Sequence, residues 1–172
     1  MIDLKKYIET YPDFPKPGIL FYDISSLMAD AKIWQETINQ FSSLVKKYKP
    51  EVLAGIESRG FIFASTIAYK LGCDVIMIRK KGKLPGKTIH HFYKLEYGTD
   101  CLEIQKRETL KNKNVILIDD LLATGGTAGA AVELLQKVKA NVSVFLTLIE
   151  LTNLKGRNKI KVKTDSLISF DE

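Results

Sequence analysis

Cysteine and histidine are scarce in this chain, at two of each in 172 residues. Cys73 and Cys101 could close at most one bridge, and neither sits in a C-x-x-C pair or beside a histidine. Both are expected as free thiols, which speaks against a disulfide scaffold and a zinc site. His90 and His91 have no ligand spacing with another His, Asp or Glu, so no metal role is read into them. No apolar run approaches the ~18 residues of a membrane helix. The charged start, Met1-Ile2-Asp3-Leu4-Lys5-Lys6, lacks the apolar stretch of a signal peptide. A cytoplasmic protein with no membrane partner is expected. Internal repeats, low-complexity segments and interdomain linkers are also missing, so 172 residues with 45% hydrophobic content read as one domain, 1–172, with a full core. Two familiar glycine loops are absent as well. There is no G-x-x-x-x-G-K-[ST] for a P-loop, and no G-x-G-x-x-G after a strand for a dinucleotide fold.

What is present is concentrated in Val115 to Thr127, VILIDDLLATGGT. Val115 to Ile118 read as a strand buried on both faces, ending at the adjacent acids Asp119 and Asp120. A loop of small and hydroxyl residues follows, Ala123-Thr124-Gly125-Gly126-Thr127, and then an apolar helix expected over Ala128 to Lys139. Glycines let backbone come close to a ligand, and N–H groups at a helix start make a concave anion site. The threonine hydroxyls add donors suited to a phosphate monoester. The aspartates repel phosphate and suit sugar hydroxyls or a bound Mg²⁺ instead. The stretch therefore describes a phosphorylated sugar, and a plain strand-turn-helix corner would need neither two acids nor two threonines.

Elsewhere the chain alternates. A short helix is expected over Asp3 to Thr10, then an irregular stretch punctuated by Pro12, Pro15 and Pro17-Gly18, which leaves Ile19 to Tyr22 extended. Apolar residues at helical spacing mark an amphipathic helix from Ala31 to Tyr48, with Trp34 in its core face. Val52 to Ile56 reads as a strand, Phe61 to Leu71 as a helix and Asp74 to Arg79 as a strand. Phe92 to Tyr97 and Leu102 to Lys106 suggest an antiparallel ribbon. Val142 to Ile149 and Leu167 to Phe170 complete the strands. The fold class is α/β, a mainly parallel sheet flanked by helices, with ligands at the carboxyl ends of the strands. A net charge of +6 points to an anionic partner. Arg79, Lys80, Lys81, Lys83 and Lys87 crowd into one glycine-punctuated loop, whereas Lys155, Lys159, Lys161 and Lys163 read as solubility charge.

VILIDDLLATGGT resembles the PRPP-binding motif of type I phosphoribosyltransferases, in the form found in their adenine-using members. DFPKPGILFYDI (Asp13 to Ile24), GIESRGFIFA (Gly55 to Ala64), RKKGKLPGKT (Arg79 to Thr88), LEYG (Leu95 to Gly98) and ELTNLKGR (Glu150 to Arg157) resemble the same family in order and spacing. The resemblance implies the type I fold with a small N-terminal hood and a flexible lid loop, and purine salvage: adenine displaces pyrophosphate from PRPP to give AMP. It implies that Ala123 to Thr127 grip the 5′-phosphate, and that Asp119 and Asp120 contact the ribose hydroxyls. Glu57, Ser58 and Arg59 would bind pyrophosphate, with a cis peptide at Glu57-Ser58. Lys80 to Tyr97 would form the lid, with Lys83 the lid lysine and Arg79 and Lys80 at its base. Arg79 would reach a neighbouring subunit's site in a homodimer. Glu96, beside Tyr97, would assist proton transfer at the purine. The main chain at Leu20, Phe21 and Tyr22 would read adenine, with Phe21 and Leu121 sandwiching the ring. Tyr22 stands where many relatives carry arginine, which puts any contact of that arginine in doubt. Mg²⁺ is expected to be held mainly by PRPP and water, with no direct protein ligand.

Two other functions are weighed against this. A 6-oxopurine enzyme often carries a lysine after the strand that follows the PRPP motif, and Val142 to Leu151 contains none. A PRPP-sensing regulator of nucleic acid would carry an added module or lose the lid, whereas LEYG is retained, so no nucleic-acid partner is expected.

Overall fold

Pro12, Pro15 and Pro17 interrupt the backbone donors a helix needs, and the chain around them folds as a tight hairpin. In the computed structural model, which describes residues 2–94 and 98–171, β1 (Glu9–Pro12) pairs antiparallel with β2 (Leu20–Asp23). Asp13 and Gly18 take positive φ in the connection, and the Gly18 N–H donates to the Asp13 carboxylate at 2.7 Å. Phe14 and Phe21 meet edge-on with ring centroids 5.0 Å apart. The helix expected over Asp3 to Thr10 is instead one 3-10 turn, Leu4–Tyr7, that leads into β1. A helix that short is marginal without packing, and pairing with β2 satisfies the backbone instead. Then come α1 (Ser25–Ala29) and α2 (Ala31–Lys46). Asp30 caps α2 by accepting from the N–H groups of Lys32 at 2.9 Å and Ile33 at 3.1 Å. Trp34 is half-buried rather than a full core residue. Residues up to Phe41 make one compact unit and residues from Ser42 a second.

The second unit is built on a seven-stranded sheet. Its strands are β3 (Val52–Ile56), β4 (Asp74–Lys80), β5 (Thr88–Lys94), β6 (Thr99–Gln105), β7 (Asn114–Leu122), β8 (Asn141–Leu151) and β9 (Lys163–Phe170), in the order β5-β6-β4-β3-β7-β8-β9. Strands β4, β3, β7, β8 and β9 run parallel, and β6 is antiparallel to both β4 and β5. The expected mainly parallel sheet is thus what the chain forms. Every residue of β3 is buried, as a strand covered on both faces requires. Val52, Ala54 and Ile56 pack with Ala131, Leu134 and Leu135 of α4 (Gly126–Lys137). The alternate position Gly55 faces Ala64 of α3 (Gly60–Leu71), so the two helices cover opposite faces.

Several boundaries differ from expectation because pairing overrides local pattern. β7 does not stop at the acids: its ladder with β8 runs on through Asp119, Leu121 and Leu122. α4 starts at Gly126, after Gly125 at φ 78, and ends at Lys137, before Lys139 at positive φ. The antiparallel ribbon expected from Phe92 to Tyr97 and Leu102 to Lys106 forms with other bounds: β5 starts earlier, at Thr88, and pairs along its whole length with β6, while residues 95–97 lie outside the described residues. β9 starts at Lys163 because Val144 of β8 pairs with it. Cys73 and Cys101 are free thiols. Among the described residues no helix is long and apolar enough to cross a membrane.

A charged clamp closes the far side of the sheet. Buried Glu150, at the end of β8, accepts two hydrogen bonds from the Arg157 guanidinium and one from the Ser166 hydroxyl at 3.1 Å. Arg157 also donates to the Thr164 carbonyl at 2.6 Å. The guanidinium, outweighing the opposing effect of burial, holds Glu150 below the usual carboxylate range. Its stabilisation is therefore present above the unfolded-chain pKa of about 4.3 and lost as pH falls through the depressed folded value. Arg157→Met should cost about 2 kcal/mol at about pH 7, tempered by the exposure of the guanidinium. Urea unfolding should show that cost shrinking toward about pH 3, and a cost that does not change with pH would contradict the clamp.

Candidate functional site

The turns after β3 and β7 meet at the carboxyl ends of the parallel strands, where an open α/β sheet leaves a crevice. A cavity of about 280 Å³ lies there, lined by Glu57, Ser58, Arg59 and Lys80 and by the run from Asp119 to Ala128. Of the residues singled out in the sequence, this brings together Glu57 to Arg59, Lys80, both acids, Leu121 and all of Ala123 to Thr127. Arg79 and Lys83 adjoin it through Glu57. Leu20, Phe21 and Tyr22 lie on β2 in the N-terminal unit, Tyr22 with its side chain buried. Glu96 and Tyr97 lie outside the described residues.

The glycine loop is shaped by close contact. Gly125 takes φ 78, and a Cβ on it would collide with the carbonyl of Gly156, while a Cβ on Gly156 would collide with the carbonyl of Ala123. The first intrahelical bond of α4 runs from Gly129 N–H to Gly125 O at 2.9 Å. The N–H groups of Gly126, Thr127 and Ala128 precede it and lie at the cavity, with the positive end of the helix dipole behind them. The other turn is equally tight. The Glu57-Ser58 peptide is cis, where the resemblance expects it. A Cβ on Gly60 would come within 2.8 Å of the Ile118 carbonyl and 2.9 Å of Asp119 Oδ1.

Charges are arranged in pairs. Arg59 meets Asp120 at 2.7 Å. Glu57 accepts from the Lys80 N–H at 2.9 Å, from Arg79 Nε at 3.3 Å and from the Lys83 ammonium. Burial opposes ionisation of Glu57, yet these three donors hold it below the usual carboxylate range. Arg79 also donates to the Lys83 carbonyl at 3.1 Å, so its guanidinium is engaged within its own chain. Asp119 accepts from the Asp120 N–H at 2.9 Å. Loss of water, and then the neighbouring Asp120 charge, push the Asp119 carboxyl well above its ordinary pKa. Asp120 is also raised by burial, against the opposing charge of Arg59.

Sequence reasoning passed over several residues that hold this arrangement. Glu103, buried within β6, accepts from the N–H groups of Lys83 at 2.9 Å and Leu84 at 2.8 Å, anchoring the basic turn. Tyr93 and Asp100 tie Lys80 to Thr127, and Gly156 backs the glycine loop. An acid set between the apolar Leu102 and Ile104 was the available signal for Glu103. Nothing local marks Tyr93. His91 pairs with Glu133 at 3.0 Å and His90 packs edge-on against Phe92. Among the described residues no three His, Cys, Asp or Glu side chains converge as a metal cluster.

An acid whose pKa is raised on folding keeps its proton better folded than unfolded, so stability falls as pH rises from about 4 toward the raised value. Asp119→Asn removes that loss and retains an acceptor for the Asp120 N–H. The variant should melt higher than wild type at about pH 7 and at the same temperature near pH 3. A lower melting temperature at neutral pH would show that the acid pair is not under electrostatic stress.

Residues 24–170 match the family model described as phosphoribosyl transferase domain. Adenine phosphoribosyltransferase of Rhodospirillum rubrum is 55% identical over 170 residues, covering 99% of each chain. The crystal structure of adenine phosphoribosyltransferase from Thermoanaerobacter pseudethanolicus aligns with TM-score 0.93 and 42% identity, over 97% of this chain and 98% of that one. The Saccharomyces cerevisiae enzyme, crystallised with an imino-altritol bisphosphate and adenine, aligns with TM-score 0.91 and 39% identity, over 95% of this chain and 96% of that one. With a match that spans nearly the whole sequence and a cavity shaped by the same motifs, this chain belongs to the adenine phosphoribosyltransferase family.

Proposed function

We infer that this chain transfers the phosphoribosyl group of PRPP to adenine, giving AMP and pyrophosphate, as a step of purine salvage. The observation that carries the reading is one cavity joining a glycine-rich helix start, an acid pair and a cationic turn. PRPP is a sugar phosphorylated at both ends, and each feature matches one part of it. The N–H groups from Ala123 to Thr127, with the hydroxyls of Thr124 and Thr127, grip the 5′-phosphate. Ser58, Arg59, Lys80 and Lys83 take the pyrophosphate. Asp119 and Asp120 accept from the ribose hydroxyls, and their charge offsets the cation that develops at the anomeric carbon as pyrophosphate leaves.

Adenine offers an N–H donor beside a ring acceptor. In an antiparallel pair, alternate residues turn both N–H and C=O away from the partner strand. β2 pairs with β1 in a two-stranded sheet, and main-chain reading of adenine at Leu20 to Tyr22 rests on the resemblance. Leu121 supplies an apolar wall of the cavity, and a role for Phe21 on the adenine ring rests on the resemblance alone. Glu96, with Tyr97 beside it, takes the proton-transfer role by resemblance alone. By resemblance, the segment from Lys80 to Tyr97 takes the part of a lid that excludes water from a reactive sugar cation.

Phosphoribosyltransferases generally use Mg²⁺ with PRPP. In this chain the adjacent carboxylates of Asp119 and Asp120 would suit a hydrated cation held mainly by PRPP and water. When bound, Mg²⁺ neutralises phosphate charge and makes pyrophosphate a better leaving group. The whole chain, 1–172, acts as one phosphoribosyltransferase domain in the cytoplasm.

AMP formation should be measured with PRPP, Mg²⁺ and each of adenine, hypoxanthine, guanine and xanthine at equal concentration. Adenine should be used at least about 10⁴-fold better than any oxopurine, because a pocket built for one donor pattern leaves polar groups unpaired with the other. Comparable product from an oxopurine would reassign the base, and no product from any base would end the enzymatic reading.

A homodimer is part of the same reading. Val75 and Met77 on β4 are 48% and 47% exposed and, with Phe61 and Ala64, line an apolar cavity that a second copy would cover. Met77→Asp should shift sedimentation from dimer to monomer. An unchanged dimer would move the interface elsewhere.

A further inference from the structure

One hydroxyl in the second unit lies within reach of groups from both halves of the cavity wall. Tyr93 Oη is 3.1 Å from Lys80 Nζ, 3.2 Å from Asp100 Oδ2 and 3.3 Å from Thr127 Oγ1. Lys80 also pairs directly with Asp100, whose other oxygen accepts from the Cys101 N–H at 2.7 Å. Lys80 and Thr127 line the cavity and Tyr93 does not. The Tyr93 ring is 9% exposed and packs with Leu102 and Ile104, so its hydroxyl is held at a fixed point.

Proton counting decides what this arrangement can do. A phenol has one proton and two acceptor positions, and an ammonium can only donate. Lys80 therefore donates to Tyr93, and the Tyr93 proton goes either to Asp100 or to Thr127. If it goes to Asp100, Thr127 can donate to Tyr93 and turns only lone pairs toward the cavity. If it goes to Thr127, the threonine proton is free to point into the cavity. A phosphate dianion accepts and does not donate, so it selects the second arrangement. Asp100 then keeps Lys80 and the Cys101 N–H, and no buried group loses its partner. The ammonium spends one N–H on Asp100 and one on Tyr93, which leaves the third for an anion.

We propose that Tyr93, supported by Asp100, is a positioning residue that aligns the Thr127 hydroxyl and the Lys80 ammonium together, each for one phosphorylated end of PRPP. The role rests on the reading that the cavity takes PRPP. Tyr93 works through the two residues it holds, and its effect on ligand comes from the order of donors Lys80 to Tyr93 to Thr127.

Tyr93→Phe removes the hydroxyl and keeps the ring, so the fold should survive, which thermal unfolding checks. The KM for PRPP should rise about five- to tenfold, the equivalent of one lost hydrogen bond near charge, while the KM for adenine stays within about twofold. Titration calorimetry with ribose 5-phosphate alone and with pyrophosphate alone should show both weakened by Tyr93→Phe. In a Thr127→Val background, adding Tyr93→Phe should cost no further affinity for ribose 5-phosphate, because the hydroxyl it acts through is already gone. Unchanged binding of both ligands in Tyr93→Phe, or fully additive losses in the double variant, would overturn the role. Wild-type turnover is measured in parallel: an inactive wild type defeats the assigned reaction and this role with it, whereas an active wild type with an unmoved Tyr93→Phe defeats only this role.

Discussion

The glycine loop runs so close to the turn at Gly156 that neither backbone can carry a side chain at the contact. The glycine loop itself, the start of α4 and one wall of the cavity all depend on that approach. Positive φ at Gly125 turns the chain into the helix with its first N–H groups unspent, and contact with Gly156 fixes where they point. The approach is held from outside by the Glu150–Arg157 clamp, next to Gly156 in sequence and tied to β9 through Thr164 and Ser166. A loop of backbone N–H groups therefore draws its rigidity from a charged pair on the far strands.

A second constraint is the concentration of cations. Arg59 and Lys80 line the cavity and Arg79 and Lys83 adjoin it through Glu57, where these cations would repel one another without partners. Each is matched: Arg59 with Asp120, Arg79 and Lys83 with Glu57, Lys80 with Asp100. Glu103 adds a buried carboxylate that takes the N–H groups of the basic turn, and these bonds outweigh its burial and hold it below the usual carboxylate range. Among the described residues Asp119 has no ion pair of its own, and the Arg59 charge offsets its burial and the Asp120 charge only in part, so its carboxyl stays well above its ordinary pKa. Burial raises both Asp119 and Asp120, so the electrostatic stress of this region falls on the acid pair.

Much of this was legible in the linear chain, for reasons that differ by residue. Val52 to Ile56 and Val115 to Ile118 read as doubly covered strands because an unbroken apolar run needs apolar cover on both sides. Gly125, Gly126 and the threonines read as an anion loop because few other jobs need glycine beside hydroxyl at a helix start. The N-terminal helix failed because only Leu4 and Ile8 carry an apolar face there, and a partner strand offered better pairing. The reach of β7 past the acids failed because its extent is set by β8, far along the chain. Thr88 to His91 looked like loop by polarity, and pairing with β6 made them the first half of a strand.

What the sequence determined by itself is local chemistry: which residues can hold phosphate, which can offset a sugar cation, and which stretches must be covered. Those properties follow from side-chain type and from short-range backbone rules. Only the tertiary structure decided that Gly156 sits against Gly125, that Glu57 gathers Arg79 and Lys83, and that the Tyr93 hydroxyl lies between Lys80 and Thr127. These partners stand 26 or more positions apart in several cases, as Lys83 does from Glu57. No local propensity encodes such a distance, because it is fixed by the order in which parallel strands stack.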